Sequence, residues 1–193
     1  MSPWIPKAII LAATVAMFVI RAPHGKQSRA AKIAKSYKGP REKLLLALAG
    51  MGFSAPLVWL FTPVLSFAEY PPRPSLVLLG SAIFAAGLWL FHLAHRDLGR
   101  NWSVTLEVRE EHRLITHGIY RRIRHPMYAA LFVMSIGQLL VLPNWVAGPA
   151  FLIPFAILFA LRIGAEERMM RETFGGAYDA YAATTKRLVP GVW

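Results

Sequence analysis

Five apolar segments, separated by polar stretches, divide the chain at roughly 4–20, 44–66, 75–95, 127–142 and 145–163. Each of the first three can span or nearly span a hydrocarbon core of ~30 Å, which takes about 20 helical residues. The fourth gives only about 24 Å of helix, and the turn-forming run Leu142–Trp145 separates it from the fifth. The pattern predicts an all-α integral membrane protein with about five transmembrane helices, the last two forming a tight helical hairpin.

Composition supports the membrane class. The 193 residues are 55% hydrophobic, with a mean hydropathy of +0.42. Because the positive charges behind the net charge of +12 flank apolar runs, they indicate membrane lipids with anionic headgroups as partners, and no nucleic acid. The absence of cysteine excludes disulfides, thiolate metal sites and cysteine nucleophiles.

The distribution of basic residues predicts the orientation in the membrane. Eight Lys and Arg residues lie between positions 21 and 43, and seven Arg residues lie between 96 and 126. The loop 66–74, between the second and third helices, has one acid and one base. The positive-inside rule therefore places both basic segments and the C-terminus in the cytoplasm.

Polar side chains are concentrated at one predicted membrane face. Pro126 suits the first turn of the fourth helix, so His125 and Tyr128 should project from one side of its start. Arg162 and Glu166 share a face at the cytoplasmic end of the fifth helix. A hairpin would bring these two pairs together. A charged membrane flank with a helical salt bridge explains the same residues, and the residues alone leave both interpretations open.

His92 and His95 lie three residues apart near the end of the third helix, a spacing that could serve a metal. No repeated carboxylate–histidine pattern accompanies them, so interfacial packing is the favoured interpretation and no metal is predicted.

The second half of the chain resembles the isoprenylcysteine carboxyl methyltransferase family and, more distantly, the phospholipid N-methyltransferases. The resemblance is carried by "LGRNWS", "HRLITHGIYRRIRHPMY", the "NW" of the hairpin turn, "EER" after the fifth helix and "FGGAYDAY". It implies that residues 98–193 form a catalytic, cofactor-binding half with a hairpin at 127–163 and a C-terminal tail. Residues 1–97 would supply three transmembrane helices and a basic cytoplasmic loop at about 21–43.

The resemblance also implies that S-adenosyl-L-methionine is the cofactor. By matching position, its contacts would be His112, Leu114, Ile115, Tyr120, His125, Pro126, Tyr128 and Glu166. Arg162 matches the family position associated with the methyl acceptor, and Arg124 is interpreted as a positive membrane flank. A lipophilic acceptor would enter from the bilayer. The expected location is the bacterial cytoplasmic (inner) membrane, with the catalytic face in the cytoplasm.

Reaction chemistry favours a carboxylate as the acceptor. A carboxylate is already ionised near neutral pH, whereas an amine must first lose a proton, and Arg162 could orient a carboxylate through charge-assisted hydrogen bonds. The alternatives are a phospholipid amine N-methyltransferase, a NADPH-dependent membrane reductase of sterol type, and a non-catalytic membrane scaffold.

Overall fold

The computed structural model describes residues 1–30, 32–37, 39–110 and 112–192. Within them the chain is mostly helical, with a single pair of short strands. In chain order the main elements are α1 (Trp4–Ala30), β1 (Ile33–Ser36), α2 (Pro40–Phe61), α3 (Pro74–Leu98), β2 (Glu107–Arg109), α4 (Pro126–Val141), α5 (Leu152–Phe174) and α6 (Gly176–Thr184).

Among the described residues, three helices are long and apolar enough to cross a membrane. The candidate spans are Trp4–Gly25, Pro40–Phe61 and Pro74–Asn101, and α4 is a shorter apolar helix. Proline occupies the first turn of α2, α3 and α4, where its missing N–H removes no hydrogen bond from the helix. The protein is an integral membrane protein, and a count of five spans depends on α4 and α5 in addition to these three.

Helices α3 and α4 pack closely along their lengths. A Cβ atom at Gly137 would lie 2.7 Å from the backbone nitrogen of Phe84, and one at Gly87 would lie 2.8 Å from that of Met134. Glycine is therefore required at both crossing points for the two backbones to approach so closely. This packing aligns the start of α4 with the end of α3.

The predicted tight hairpin between the fourth and fifth helices is wrong. Helix α5 begins at Leu152, and an irregular connection starts at Leu142. The reason is Asn144, whose Oδ1 accepts from the N–H groups of Val146 and Ala147 while its Nδ2 donates to the carbonyl of Leu65. These contacts bind the connection to the α2–α3 loop. Helices α4 and α5 remain neighbours through aromatic contacts such as Phe132–Phe155.

The predicted basic loop at 21–43 is also mostly structured. Helix α1 continues past the apolar run to Ala30, because loss of hydrophobicity marks the membrane boundary and does not by itself end a helix. Lys38, counted in that loop, lies outside the described residues. The expectation of an all-α fold needs a correction as well, since β1 pairs antiparallel with β2 through Lys35–Val108 and Ser36–Glu107. This pairing ties the N-terminal half to the polar segment that precedes α4.

Candidate active site

A cavity of about 430 Å³ lies where the membrane helices meet the polar segments. Seven of the eight residues predicted to contact a cofactor line it, and so does Arg162; the seven are His112, Leu114, Ile115, Tyr120, His125, Tyr128 and Glu166. Pro126 does not line the cavity and is buried as the first residue of α4. The rest of the lining includes the whole segment 101–107 and apolar side chains from α1, α2 and α3.

Glu166 is the meeting point of α4 and α5 in this cavity. Its Oε2 accepts a hydrogen bond of 2.6 Å from the Tyr128 hydroxyl and lies 3.7 Å from Arg162 Nε. Its Oε1 lies 3.6 Å from His125 Nδ1. The predicted convergence of His125 and Tyr128 with Arg162 and Glu166 is confirmed, even though the hairpin from which it was inferred is not tight.

Glu167, the next residue of α5, forms a second ion-pair cluster beside the contacts of Glu166. It is 2% exposed, and it accepts from Arg124 Nη2 at 3.2 Å and from Arg187 Nη2 at 2.8 Å. Burial alone would lower the pKa of His125, but hydrogen bonds to Glu166 and Glu167 outweigh burial and raise it. His125 is therefore held between two carboxylates that favour its protonated form.

Arg124 is an internal residue, so its interpretation as a membrane flank is wrong. Its side chain is 11% exposed, and it donates to the carbonyls of Ala182 and Thr185 as well as to Glu167. An arginine that satisfies carbonyls and a carboxylate can be buried here, whereas a lipid-facing flank would keep its charge in the headgroups.

The C-terminal segment is part of the wall of the cavity. The Tyr181 hydroxyl donates to the carbonyl of Tyr120 at 2.6 Å, and the backbone N–H of His125 donates to the carbonyl of Arg187 at 3.0 Å. Burial raises the pKa of Tyr120 well above its usual value, so its hydroxyl stays neutral. The motif around Tyr181 thus holds residues of the predicted cofactor site in place.

Arg162 is bound from two sides by other elements. Its Nη2 donates to the carbonyl of Val104 at 2.9 Å and lies 3.6 Å from Glu42 Oε1. The same Glu42 oxygen accepts the N–H of Leu106 at 2.8 Å. The sequence does not single out Glu42, because it belongs to the half without recognisable motifs. Its one signal is that it is the only acid among the basic residues at 21–43.

His92 and His95 do not form part of a cluster that suits a metal. His95 is fully buried, with its Nδ1 3.0 Å from the carbonyl of Phe91 and its ring 5.1 Å from that of Trp102. The parts of the chain that the structure describes contain no group of three or more histidines and carboxylates that could hold a metal.

A known protein family matches the segment of the chain that carries the predicted site residues. Residues 78–172 match the model of the isoprenylcysteine carboxyl methyltransferase (ICMT) family. The resemblance to ICMT is thereby confirmed. The matched range contains every predicted site residue, including Glu166 and Arg162, together with all of α4 and all but the last two residues of α5.

Curated relatives bear the same enzyme name. The chain is 31% identical over 123 residues to a "Probable protein-S-isoprenylcysteine O-methyltransferase" of Oryza sativa subsp. indica, covering 63% of this chain and 64% of that protein. It is 35% identical over 112 residues to "Protein-S-isoprenylcysteine O-methyltransferase A" of Arabidopsis thaliana, covering 58% and 52%. The chain thus spans less than two thirds of the length of these relatives.

A solved structure shares the fold. It is titled "Structure of the eukaryotic intramembrane Ras methyltransferase ICMT (isoprenylcysteine carboxyl methyltransferase) without a monobody". It superposes with a TM-score of 0.54 at 26% identity, covering 82% of this chain and 55% of that one. The two relatives named above are plant proteins, and the solved structure is titled as that of a eukaryotic ICMT. The expectation of a bacterial inner membrane is therefore contradicted.

Proposed function

We propose that the protein is an S-adenosylmethionine-dependent membrane methyltransferase that esterifies a carboxylate of a lipophilic acceptor, as an isoprenylcysteine carboxyl O-methyltransferase does. The observation that carries the proposal is the convergence of Tyr128, His125 and Arg162 on Glu166 within one cavity. The names of the relatives support both the reaction and the isoprenylated class of acceptor.

The residues around the cavity fit the proposed cofactor. S-adenosylmethionine supplies an electrophilic methyl group on a sulfonium, and it also carries an ammonium, a carboxylate and an adenosine. Glu166 would provide the counter-charge for a cationic group of the cofactor. Tyr120 and Tyr128 would offer ring faces to the sulfonium or the adenine. His112 and His125 would hydrogen-bond the polar ends, and Leu114 and Ile115 would contact the apolar surfaces.

The apolar part of the lining fits a lipophilic acceptor. Phe18 lines the cavity and is also 53% exposed on the outer surface of α1. Its ring lies 6.1 Å from that of Phe53 on α2, which lines the same cavity. Since both helices are candidate membrane spans, an acceptor chain would enter from the bilayer between α1 and α2.

The chain's own groups favour a carboxylate acceptor over an amine. A carboxylate acceptor needs no general base, so alignment and exclusion of water would supply most of the rate. Because its pKa is raised, the Tyr120 phenol is already protonated at neutral pH and cannot take the proton that an amine acceptor would have to lose. Arg162 would orient the carboxylate. Its contacts with Val104 and Glu42 fix the position of the guanidinium before the acceptor binds.

The proposal assigns different roles to the two halves of the chain and an orientation to the protein in the membrane. Residues 1–97 would provide the membrane helices and the acceptor path, and residues 98–193 would provide the cofactor site on the cytoplasmic face. The chain lacks cysteine, so Lys32→Cys creates a single labelling site in the basic segment. An impermeant maleimide should label it only after the membrane is opened, and labelling of sealed cells from outside would reverse the orientation.

Ligand binding distinguishes the rival functions. Calorimetry on the purified protein should show binding of S-adenosylhomocysteine and no binding of NADPH. Binding of NADPH alone would support a reductase of sterol type, and binding of neither ligand would support a scaffold. Glu172→Gln, which alters an exposed carboxylate bound to Lys35 and Tyr37, is the matched control for folding and handling.

A further inference from the structure

Tyr178 lines the cavity but has no assigned part in the proposed reaction. It belongs to the "FGGAYDAY" motif at the start of α6 and is 1% exposed. Its hydroxyl oxygen is buried and has no hydrogen-bond partner within the described residues. Tyr181, three residues later in the same helix and also lining the cavity, donates its hydroxyl to the carbonyl of Tyr120.

The unpaired hydroxyl is not explained by a loosely held helix. Arg171 on α5 donates to Asp179 at 3.0 Å, Tyr181 binds Tyr120, and Arg124 binds the carbonyl of Ala182. These contacts hold α6 just after Tyr178, and just before it the N–H of Gly175 donates to the carbonyl of Arg171 at 2.8 Å. A buried hydroxyl without a partner is costly, so a fixed one that lines a ligand-sized cavity indicates a partner that arrives with the ligand.

The surroundings make Tyr178 a hydrogen-bond donor. Burial, helped by the nearby Glu167 carboxylate, raises the pKa of Tyr178 to about 12, so the phenol keeps its proton at neutral pH. Glu167 itself already accepts from Arg124 and Arg187 and makes no hydrogen bond to Tyr178. The hydroxyl therefore has a proton to donate to a ligand.

We propose that the Tyr178 hydroxyl is a further cofactor-binding group, which donates a hydrogen bond to an acceptor atom of bound S-adenosylmethionine. The inference rests on the proposed function, because it assumes that this cavity holds that cofactor. It gives α6 a direct role in binding, beyond holding Tyr120 in place.

The test compares Tyr178→Phe with Tyr181→Phe, each of which removes one hydroxyl from α6. Tyr178→Phe should weaken binding of S-adenosylhomocysteine about tenfold, the loss of one hydrogen bond. Its ligand-free melting temperature should be unchanged or higher, because no partner is lost. Tyr181→Phe should lower the ligand-free melting temperature, because it leaves the Tyr120 carbonyl unpaired. A purely structural role for Tyr178 would not produce this opposite pair of effects.

Binding of a second ligand locates the hydrogen bond on the cofactor, and a ¹⁹F measurement replaces the Tyr178→Phe variant if that variant does not fold. Equal weakening for 5′-methylthioadenosine would place the hydrogen bond on the adenosine, and weakening for S-adenosylhomocysteine alone would place it on the amino-acid end. If Tyr178→Phe does not fold, 3-fluorotyrosine at position 178 keeps the hydroxyl, and its ¹⁹F resonance should shift when S-adenosylhomocysteine binds.

The outcomes separate this inference from the proposed function. Wild-type affinity in a folded Tyr178→Phe variant, or an unshifted ¹⁹F resonance in a protein that binds the ligand, would overturn the inference and leave the proposed function standing. A wild-type protein that does not bind S-adenosylhomocysteine would overturn both.

Discussion

Replacing Glu42 by glutamine tests whether the N-terminal half positions the catalytic half. Glutamine keeps an oxygen for the N–H of Leu106 but removes the charge 3.6 Å from Arg162 Nη2. Hydrogen bonds to charged groups contribute about 1.5–3 kcal/mol and neutral ones about 0.5–1.5 kcal/mol. Since Glu42 is only 9% exposed, solvent screens the pair weakly. We expect Glu42→Gln to lower the free energy of unfolding by about 1–3 kcal/mol.

The functional effect should fall on turnover. Arg162 would lose one of the groups that fix its guanidinium, while Glu166 and Tyr128 would still meet the cofactor. Turnover at saturating methyl donor should fall and affinity for S-adenosylhomocysteine should change little. In a double-mutant cycle, Glu42→Gln and Arg162→Lys should be non-additive, since both act on one guanidinium. A Glu42→Gln protein as stable and active as the Glu172→Gln control would refute the positioning role.

Three other predictions concern the walls of the cavity. Glu166→Gln and Tyr120→Ala should each weaken S-adenosylhomocysteine binding. The expected loss for Glu166→Gln is about 10- to 150-fold, because a charged partner is lost. Wild-type affinity of both variants by calorimetry would remove the two residues from the site. Arg162→Lys should reduce turnover without reducing cofactor affinity, because lysine keeps the charge but lacks the bidentate fork. Wild-type turnover in this variant would remove Arg162 from the acceptor site. The stabilising pairing of His125 with its two glutamates should be complete below its usual pKa of 6.5 and be lost as the pH rises through the raised value. Thermal melts should show this loss in the wild type and a flatter profile in His125→Asn.

The hydrophobic pattern alone predicts the three helices that are long and apolar enough to cross a membrane. The starts of α2, α3 and α4 lie within a few residues of the predicted segments, because proline begins each helix where the apolar run begins. Apolar runs do not predict where a helix ends in water, so α1 extends well beyond position 20. The start of α5 could not be predicted, because the partner of Asn144 is Leu65, far away in the sequence.

The motifs of the second half bring their residues to one cavity, but they do not reveal what supports that cavity. Spacing placed His125 and Tyr128 on one side of a helix start, and the structure brings both to Glu166. Glu42 and Arg124 are different, since nothing in their local sequence shows that one meets Arg162 and the other meets Glu167. Such long-range partners follow only from the packed structure.

Transfer of a radiolabelled methyl group to an S-isoprenyl cysteine acceptor tests the proposed function most directly. The purified protein, in lipid nanodiscs, would be incubated with labelled S-adenosylmethionine and N-acetyl-S-farnesyl-cysteine, and the lipid phase would be extracted and treated with base. We expect label in the lipid phase that base releases as methanol, as a methyl ester requires, and little label with Glu166→Gln. Base-stable label would indicate an N-methylated product, and a lipid phase without label from a protein that binds S-adenosylhomocysteine would contradict the proposed acceptor class.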